Sequence, residues 1–219
     1  LAMAIDSGMH VTLEERPGPT ASEDDHIDDP RLLQALQAVL PADGLSVHIH
    51  SSLPIGRGMG SSAALAVALS RASLKWEDSP ITPAEVNHRA FSIERVFHGN
   101  PSGIDHTVSM LGGAVLYTKG ADKPKFEPIS IPDLPIVVID SGTTGNTAEM
   151  VQRVRNRLNK AEPFLNQIGD LVKATIPSIV DRDLIAIGQA WHENHWLLRA
   201  IGVSTPTLDE IVRVAENAG

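Results

Sequence analysis

The sequence contains no cysteine among its 219 residues. A disulfide framework and a thiolate metal site are therefore excluded. Because nothing in the residue usage points to an oxidising compartment, we expect the protein to be cytoplasmic.

An excess of positive charge is missing as well. The chain carries 18 lysine and arginine residues against 27 aspartate and glutamate residues, which gives a net charge of −9 and a pI near 5.4. Nucleic-acid-binding proteins concentrate lysine and arginine to displace counterions, so we predict no nucleic-acid partner. A single bound nucleotide remains compatible with this charge, because it needs only a few local donors.

Long hydrophobic runs are also lacking near the start. The apolar stretch at residues 1–5 is far shorter than the ~20 residues that cross a bilayer, and no basic segment precedes it. We therefore predict no membrane partner and no targeting segment.

The hydrophobic fraction, 42%, is enough to bury a sizeable core in one compact domain or two closely joined lobes. Alternation predicts a short strand at Val11–Leu13, followed by an acidic loop to Arg31, and a second strand around residues 45–49. Residues 113–117 and 135–139 are also strand-like, whereas helical patterns dominate from Thr147 onward. This order predicts an α+β protein with two lobes.

Three helices are predicted in the first part of the chain. The first covers residues 31–40, and the second follows a glycine-rich turn and reaches about Leu74. The third opens with a capping box, Thr82 to Glu85, which has proline at the first helical position, and ends before Gly99.

The glycine-rich turn, residues 54–60, is the strongest candidate binding feature. Gly56, Gly58 and Gly60 carry no side chains, so backbone N–H groups can turn toward an anion, and the helix that begins near Ser61 adds its positive end. The hydroxyls of Ser61 and Ser62 add hydrogen-bond donors for a phosphate, or a ligand for magnesium. A tight strand-to-helix turn capped by serine is the structural alternative.

Two carboxylates, Glu94 and Asp105, are the candidate chemical groups. The turn-forming residues between them, 98–103, can bring both into one cleft. One carboxylate would hold a metal and the other would orient or deprotonate a hydroxyl, as in phosphoryl transfer. A helix-end glutamate and a capping aspartate are the structural alternative.

Other residues are assigned to packing or to the surface. His192 and His195 lie three apart on an amphipathic helix and do not form a zinc-binding H-E-x-x-H pattern, which favours a surface or inter-helix role. Trp76 follows the phosphate-loop helix and favours packing over stacking on a nucleotide base.

Taken together, these two segments resemble known signatures. Residues 54–64 resemble the second signature of the GHMP superfamily (galacto-, homoserine, mevalonate and phosphomevalonate kinases), with Met59 where leucine is usual. Residues 94–105 resemble the acid-bearing segment of its mevalonate kinases. Further segments, at residues 112–113, 140–142, 145–147 and 198–204, follow the order of the family, so the resemblance covers most of the chain.

The resemblance implies a two-lobed GHMP-kinase-like fold. Residues 1–134 would form the ATP-binding lobe, which is ribosomal protein S5 domain 2-like, and residues 135–219 would belong to a more helical lobe. It also implies transfer of the terminal phosphate of ATP to mevalonate in isoprenoid biosynthesis, with Mg²⁺ as cofactor. A homodimer is common among such relatives.

The resemblance also assigns residues to roles. Ser62 and Glu94 would bind Mg²⁺, and Asp105 would face the substrate hydroxyl as the catalytic base. Thr147 matches a threonine near the substrate. The ATP contacts would come from Ser51, Gly56, Arg57, Gly58, Met59, Gly60, Ser61 and Ser62.

Two signatures of the family have no counterpart in the sequence: a lysine-bearing N-terminal stretch and a C-terminal glycine-rich loop. We therefore expect either an incomplete sequence or a natural or engineered fragment with reduced activity. Two alternatives to mevalonate phosphorylation stay open. One is another GHMP kinase, such as a phosphomevalonate or mevalonate-3-kinase, and the other is a non-catalytic nucleotide- or metabolite-binding module.

Overall fold

The computed structural model describes residues 1–23, 29–120, 124–143 and 147–218, without the side chains of residues 147 and 148. The chain divides into two compact units, Leu1–Ile129 and Ser130–Gly219. The predicted lobe boundary after residue 134 stays a prediction. Mixed α/β structure in the first unit and helices in the second agree with the predicted α+β class.

The first unit contains two three-stranded sheets. One has the order β1-β5-β6 and is antiparallel; in the other, β4 lies between antiparallel β2 and parallel β3. The strands are β1 (Ala2–Met3), β2 (Met9–Pro19), β3 (Ala21–Ser22), β4 (Asp43–Ser51), β5 (Ala114–Thr118) and β6 (Lys125–Ile129). The helices are α1 (Leu32–Gln37), α2 (Ser61–Trp76), α3 (Pro83–His98) and α4 (Ile104–Leu111).

One hydrophobic core joins β4 to α1, α2 and α3. Val47 and Leu69 are fully buried in it, and Ile93 from α3 is also inaccessible to solvent. The core thus fixes α2 and α3 against the same sheet. This packing places the start of α2 and the end of α3, which carry the candidate site residues, on rigid elements.

The predicted acidic loop after Leu13 is wrong at its start. Strand β2 continues to Pro19 and pairs with β4 through Glu15 and Leu45, with an irregularity before Pro19. The backbone hydrogen bonds of a ladder form regardless of side-chain charge, and the exposed glutamates face water, so the lack of apolar alternation concealed the strand. Residues 24–28 of the predicted loop lie outside the described residues.

The strand predicted at residues 135–139 is also wrong. This segment has no regular secondary structure, and Val137 is 84% exposed. A strand needs a hydrogen-bonding neighbour, and the regular elements described in the second unit are all helices. They are α5 (Thr147–Arg155), α6 (Leu158–Val180), α7 (Leu184–Ala200) and α8 (Pro206–Ala218). Among the described residues, no helix is long and apolar enough to cross a membrane.

Candidate active site

The glycine turn leads from β4 into the N-terminus of α2. Gly56, Gly58 and Gly60 all adopt left-handed backbone angles, with φ of 73°, 76° and 72°. Such angles strain other residues, so glycine is required here for backbone reasons. Gly60 is the N-cap of α2 and supplies no side-chain hydrogen bond to the first turn. The turn therefore leaves the positive end of α2 without a capping side chain.

The two serines of the turn have different partners. Ser61 Oγ accepts a hydrogen bond from the Gly56 N–H at 3.3 Å, so it closes the turn on itself. Ser62 Oγ instead lies 3.0 Å from Nε2 of His98 at the end of α3. Ser62 is thus the hydroxyl that faces α3.

Glu94 lies one helical turn before His98 and on the same face of α3. It is 1% exposed, and its Oε1 has no hydrogen-bond partner among the described residues. Burial raises the pKa of the Glu94 carboxyl, and the negative charge of Asp105 also raises it. His98 and a hydrogen bond from Ser62 oppose this rise in the pKa.

Asp105 occupies the first turn of α4, after the left-handed N-cap Gly103. Its side chain is exposed to solvent, whereas Glu94 is buried. The two carboxylates are close enough for Asp105 to act electrostatically on Glu94. Ser62 thus contacts the end of α3, and Asp105 is a charged neighbour of Glu94 that lies in a contrasting, exposed environment. Their shared role stays a prediction.

Hydrogen bonds and ion pairs hold the elements that carry these residues. Asn87 Nδ2 of α3 donates to Thr107 Oγ1 of α4 at 3.1 Å. Arg31 Nη1 donates to the backbone carbonyl oxygen of Phe97 at 2.7 Å, and Arg31 is itself paired with Asp29. The last turn of α3 and the first turn of α4 are thus fixed by contacts outside the candidate site.

Two histidines of the site were not among the predicted site residues. His98 contacts Ser62, and its spacing of four from Glu94 on a predicted helix is a signal that the sequence contained. His106 is 1% exposed, lies edge-on to Phe91, and has an unpartnered Nδ1 among the described residues. Burial lowers the pKa of His106, while the neighbouring Asp105 raises it. Nothing in the sequence marked His106 as buried.

The remaining predicted contacts are less closely tied to the site. Ser51 Oγ donates to the carbonyl oxygen of Leu53 at 2.8 Å and accepts from its N–H at 3.1 Å, which shapes the end of β4. Arg57 is exposed and Met59 is half-buried in the turn. Thr147 begins α5 in the second unit, and its side chain lies outside the described residues. Trp76 is the last residue of α2, at the end opposite the glycine turn.

The oxygen atoms of the Ser62 and Glu94 side chains are suitable ligands for a divalent cation. A buried carboxylate oxygen without a partner is costly unless a donor or a cation satisfies it. Mg²⁺ commonly takes one or two protein oxygens and completes its shell with water and substrate phosphates. The hydroxyl of Ser62 and the Glu94 oxygen that has no partner in the described part of the chain match this requirement. The positive end of α2 favours the phosphates that would complete the shell.

The histidines of the second unit join helices. His195 Nε2 lies 3.0 Å from Asp209 Oδ1, and His192 pairs with Glu216, so both histidines of α7 contact α8. Ser204 donates to the same Asp209 oxygen at 2.7 Å, and this hydrogen bond is the main cause of the lowered pKa of Asp209. The prediction of a surface or inter-helix role for these histidines is confirmed.

The chain is similar in sequence to proteins of a known family. Residues 30–113 match the GHMP kinases N terminal domain. The chain is 40% identical over 185 residues to a mevalonate kinase of Pyrococcus horikoshii, covering 80% of this chain and 54% of that protein. It is 32% identical over 217 residues to the mevalonate kinase of Mus musculus, covering 84% of this chain and 52% of that protein. The chain therefore spans about half the length of the curated relatives it matches.

A solved structure is similar over almost the whole chain. The crystal structure of the L. major mevalonate kinase in complex with R-mevalonate superposes with a TM-score of 0.85 at 27% identity. The match covers 99% of this chain and 73% of that one. The GHMP-kinase-like fold predicted from the two signatures is confirmed.

Proposed function

The chain belongs to the GHMP kinase family, and from this premise we propose that it carries the ATP and mevalonate sites of a mevalonate kinase. The observation that carries the proposal is the buried carboxylate of Glu94, whose Oε1 has no partner among the described residues. It lies on the same face of α3 as His98, which contacts Ser62 at the uncapped start of α2. The relatives named mevalonate kinase support the choice of substrate. The substrate named for the L. major structure, R-mevalonate, supports it further.

The glycine turn would bind the phosphates of ATP. The backbone N–H groups at the start of α2 and the helix dipole favour the negative charge of the triphosphate. Ser62 and Glu94 would hold Mg²⁺, which when bound neutralises charge on the phosphates. Ser61 would keep the turn closed through its hydrogen bond with the Gly56 N–H.

Asp105 would act on the substrate. Its exposed carboxylate can accept the proton of the C5 hydroxyl of mevalonate. The hydroxyl oxygen then forms a bond to the terminal phosphorus of ATP, the bond from that phosphorus to the bridging oxygen breaks, and ADP leaves. Thr147 and Ser51 are proposed as further contacts to substrate and nucleotide.

An ADP-release assay with mevalonate, ATP and Mg²⁺ tests this function. Asp105→Ala should reduce mevalonate-dependent turnover by about 10²- to 10⁴-fold, the usual contribution of a general base, with little change in ATP affinity. Asp170→Ala, which removes an exposed aspartate of α6, is the matched control and should keep full activity. Full activity of Asp105→Ala would exclude this role. Phosphomevalonate as the preferred acceptor would indicate the other kinase.

A second candidate is a nucleotide-binding module without turnover. The observation that favours it is the glycine turn before the uncapped start of α2, which can bind phosphate without any group that activates a hydroxyl. Measuring ATP binding by calorimetry beside the ADP-release assay separates the two. Magnesium-dependent ATP binding without ADP release, in a sample whose intact mass is 23.4 kDa, would indicate the binding module.

A further inference from the structure

The hydroxyl of Ser62 is held between two residues of α3. Its Oγ lies 3.0 Å from His98 Nε2, and Ser62 also lowers the pKa of the neighbouring Glu94 carboxyl. Because Glu94 and His98 are four residues apart on one helix, they face Ser62 together. The proposed mechanism uses Ser62 and Glu94 but assigns nothing to His98.

Termination of α3 does not require the His98 side chain. The N–H of Gly99 donates to the carbonyl oxygen of Arg95 at 2.8 Å, and Arg31 binds the carbonyl oxygen of Phe97. Gly99 has a φ of 69°, which a C-terminal glycine adopts without strain. His98 is also exposed, so it contributes little to the core. Its contact with Ser62 is therefore the distinctive feature of this side chain.

When a cation is present, the numbers of protons and lone pairs on Ser62 and His98 decide which of the two donates the hydrogen bond. A serine hydroxyl has one proton and two lone pairs. If a lone pair of Ser62 and an oxygen of Glu94 both face the cation, the Ser62 proton needs an acceptor that the cation does not occupy. A neutral imidazole that carries its proton on Nδ1 offers such an acceptor at Nε2, which is the atom beside Ser62.

We infer that His98 is a positioning residue that accepts a hydrogen bond from the Ser62 hydroxyl and so turns a lone pair of the Ser62 oxygen toward the metal of Mg·ATP. The inference rests on the proposed function of Ser62 and Glu94. Outer partners that orient metal ligands in this way typically change metal affinity by about 10- to 100-fold when they are removed.

Calorimetry with a non-hydrolysable ATP analogue tests the inference without turnover. The quantity measured is the ratio of the affinity in Mg²⁺ to the affinity in EDTA. His98→Ala should lower this ratio by about 10- to 100-fold and leave the affinity in EDTA unchanged. His98→Gln offers an acceptor oxygen and should restore most of the ratio. His88→Ala, an exposed histidine of the same helix, is the matched control and should have no effect.

A double-mutant cycle makes the test specific for the contact. In a Ser62→Ala background, His98→Ala should cause no further loss of the ratio, because the hydroxyl that it orients is gone. An unchanged ratio in His98→Ala, failure of His98→Gln to restore it, or an additive loss in the double variant would overturn the inference. If the unsubstituted protein gains no affinity from Mg²⁺, the proposed metal site is wrong and the inference falls with it. That failure is recognisable before any substitution is made, and thermal unfolding of each variant checks that the fold is kept.

Discussion

The two compact units differ in how completely they bury their apolar side chains. The first unit has a core of fifteen buried hydrophobic residues, of which fourteen belong to α1, β4, α2 and α3 and one, Leu40, follows α1. In the described part of the second unit, only five hydrophobic residues are buried, while Val137 and Ile185 are 84% and 77% exposed. No residue of α8 is buried. The residues Ser62, Glu94 and Asp105 all belong to the unit with the fuller core.

This difference connects packing to function. Side chains that bind a metal or a phosphate must be held within a fraction of an ångström, which is easier on helices fixed by a core. Residues 61–98 in the first unit meet this condition, because Leu69 and Ile93 anchor α2 and α3. In the second unit, fewer buried contacts predict more frequent local opening. We therefore expect the first unit to be the more stable one in unfolding experiments.

The largest difference between the units is expected when one large apolar side chain is removed from each and the free energies of unfolding are compared. Leu69→Ala creates a cavity in the first core and should lower its free energy of unfolding by about 2–5 kcal/mol. Ile185→Ala removes a side chain that is already in water and should change stability by less than about 0.5 kcal/mol.

Urea unfolding followed by tryptophan fluorescence can measure both variants. Trp76 reports on the first unit in a Trp191→Phe, Trp196→Phe background, and the other two tryptophans report on the second unit in a Trp76→Phe background. The comparison breaks if Ile185→Ala costs as much as Leu69→Ala, because Ile185 would then be buried against another surface in solution.

The buried carboxylate of Glu94 should make the first unit less stable than its core alone would allow. Its pKa is raised by burial, so between the unfolded and folded pKa values the native state binds more protons than the unfolded state. The contribution of Glu94 to the free energy of unfolding is therefore fully present below the pKa of Glu94 in the unfolded chain. It is lost as the pH rises through the pKa of Glu94 in the folded chain. Glu94→Gln should lose this fall and gain about 1–3 kcal/mol at pH 8 without metal.

Urea unfolding at several pH values measures this effect. The same Glu94→Gln variant should lose the magnesium-dependent gain in nucleotide affinity, because it lacks the charged carboxylate that would bind Mg²⁺. Stability and function therefore oppose each other at this site. Glu162→Gln, which changes an exposed glutamate of α6, is the control and should alter neither quantity. A Glu94→Gln protein that is less stable at pH 8 would show that the carboxylate is satisfied in the folded chain.

Much of the fold could be predicted because local patterns matched the elements that formed. Alternation at residues 45–49 found β4, and the proline-containing start at Thr82 found α3. The capping box is only half formed, because Thr82 accepts from the Glu85 N–H while the Glu85 side chain binds Arg89. The pairing of β2 beyond Leu13 and the unpaired state of residues 135–139 depend on distant neighbours, which no local pattern encodes.

In the candidate site, too, local patterns could be predicted from the sequence, whereas packing between distant residues could not. The glycine turn and the carboxylates were predicted because their residue types and spacing reflect the local chemistry of phosphate binding and of turns. The burial difference between Glu94 and Asp105, and the burial of His106, arise from packing between α3 and α4. Such packing joins residues that are distant in sequence, as Asn87 and Thr107 illustrate, so it could not be inferred from spacing alone.

The smallest effect is expected from the helix caps, which the two units share. Thr82 Oγ1 accepts from the Glu85 N–H at 3.2 Å in α3, and Asp183 Oδ1 accepts from the Ala186 N–H at 3.0 Å in α7. Alanine at either position should cost about 1 kcal/mol. The first-turn amides of each helix should then exchange roughly fivefold faster, as measured by hydrogen exchange.

The spread of this faster exchange distinguishes the units. In Thr82→Ala, we expect it to stop within the first turn, because Val86, Ala90 and Ile93 hold α3 in the core. In Asp183→Ala, we expect it to extend further, because α7 buries only Ile187 and Leu197 along its length. Thr82→Ser and Asp183→Asn keep a capping oxygen and should restore slow exchange. Equal confinement in both helices would mean that α7 is anchored as firmly as α3. The units would then differ in how many apolar side chains they expose, but not in local stability.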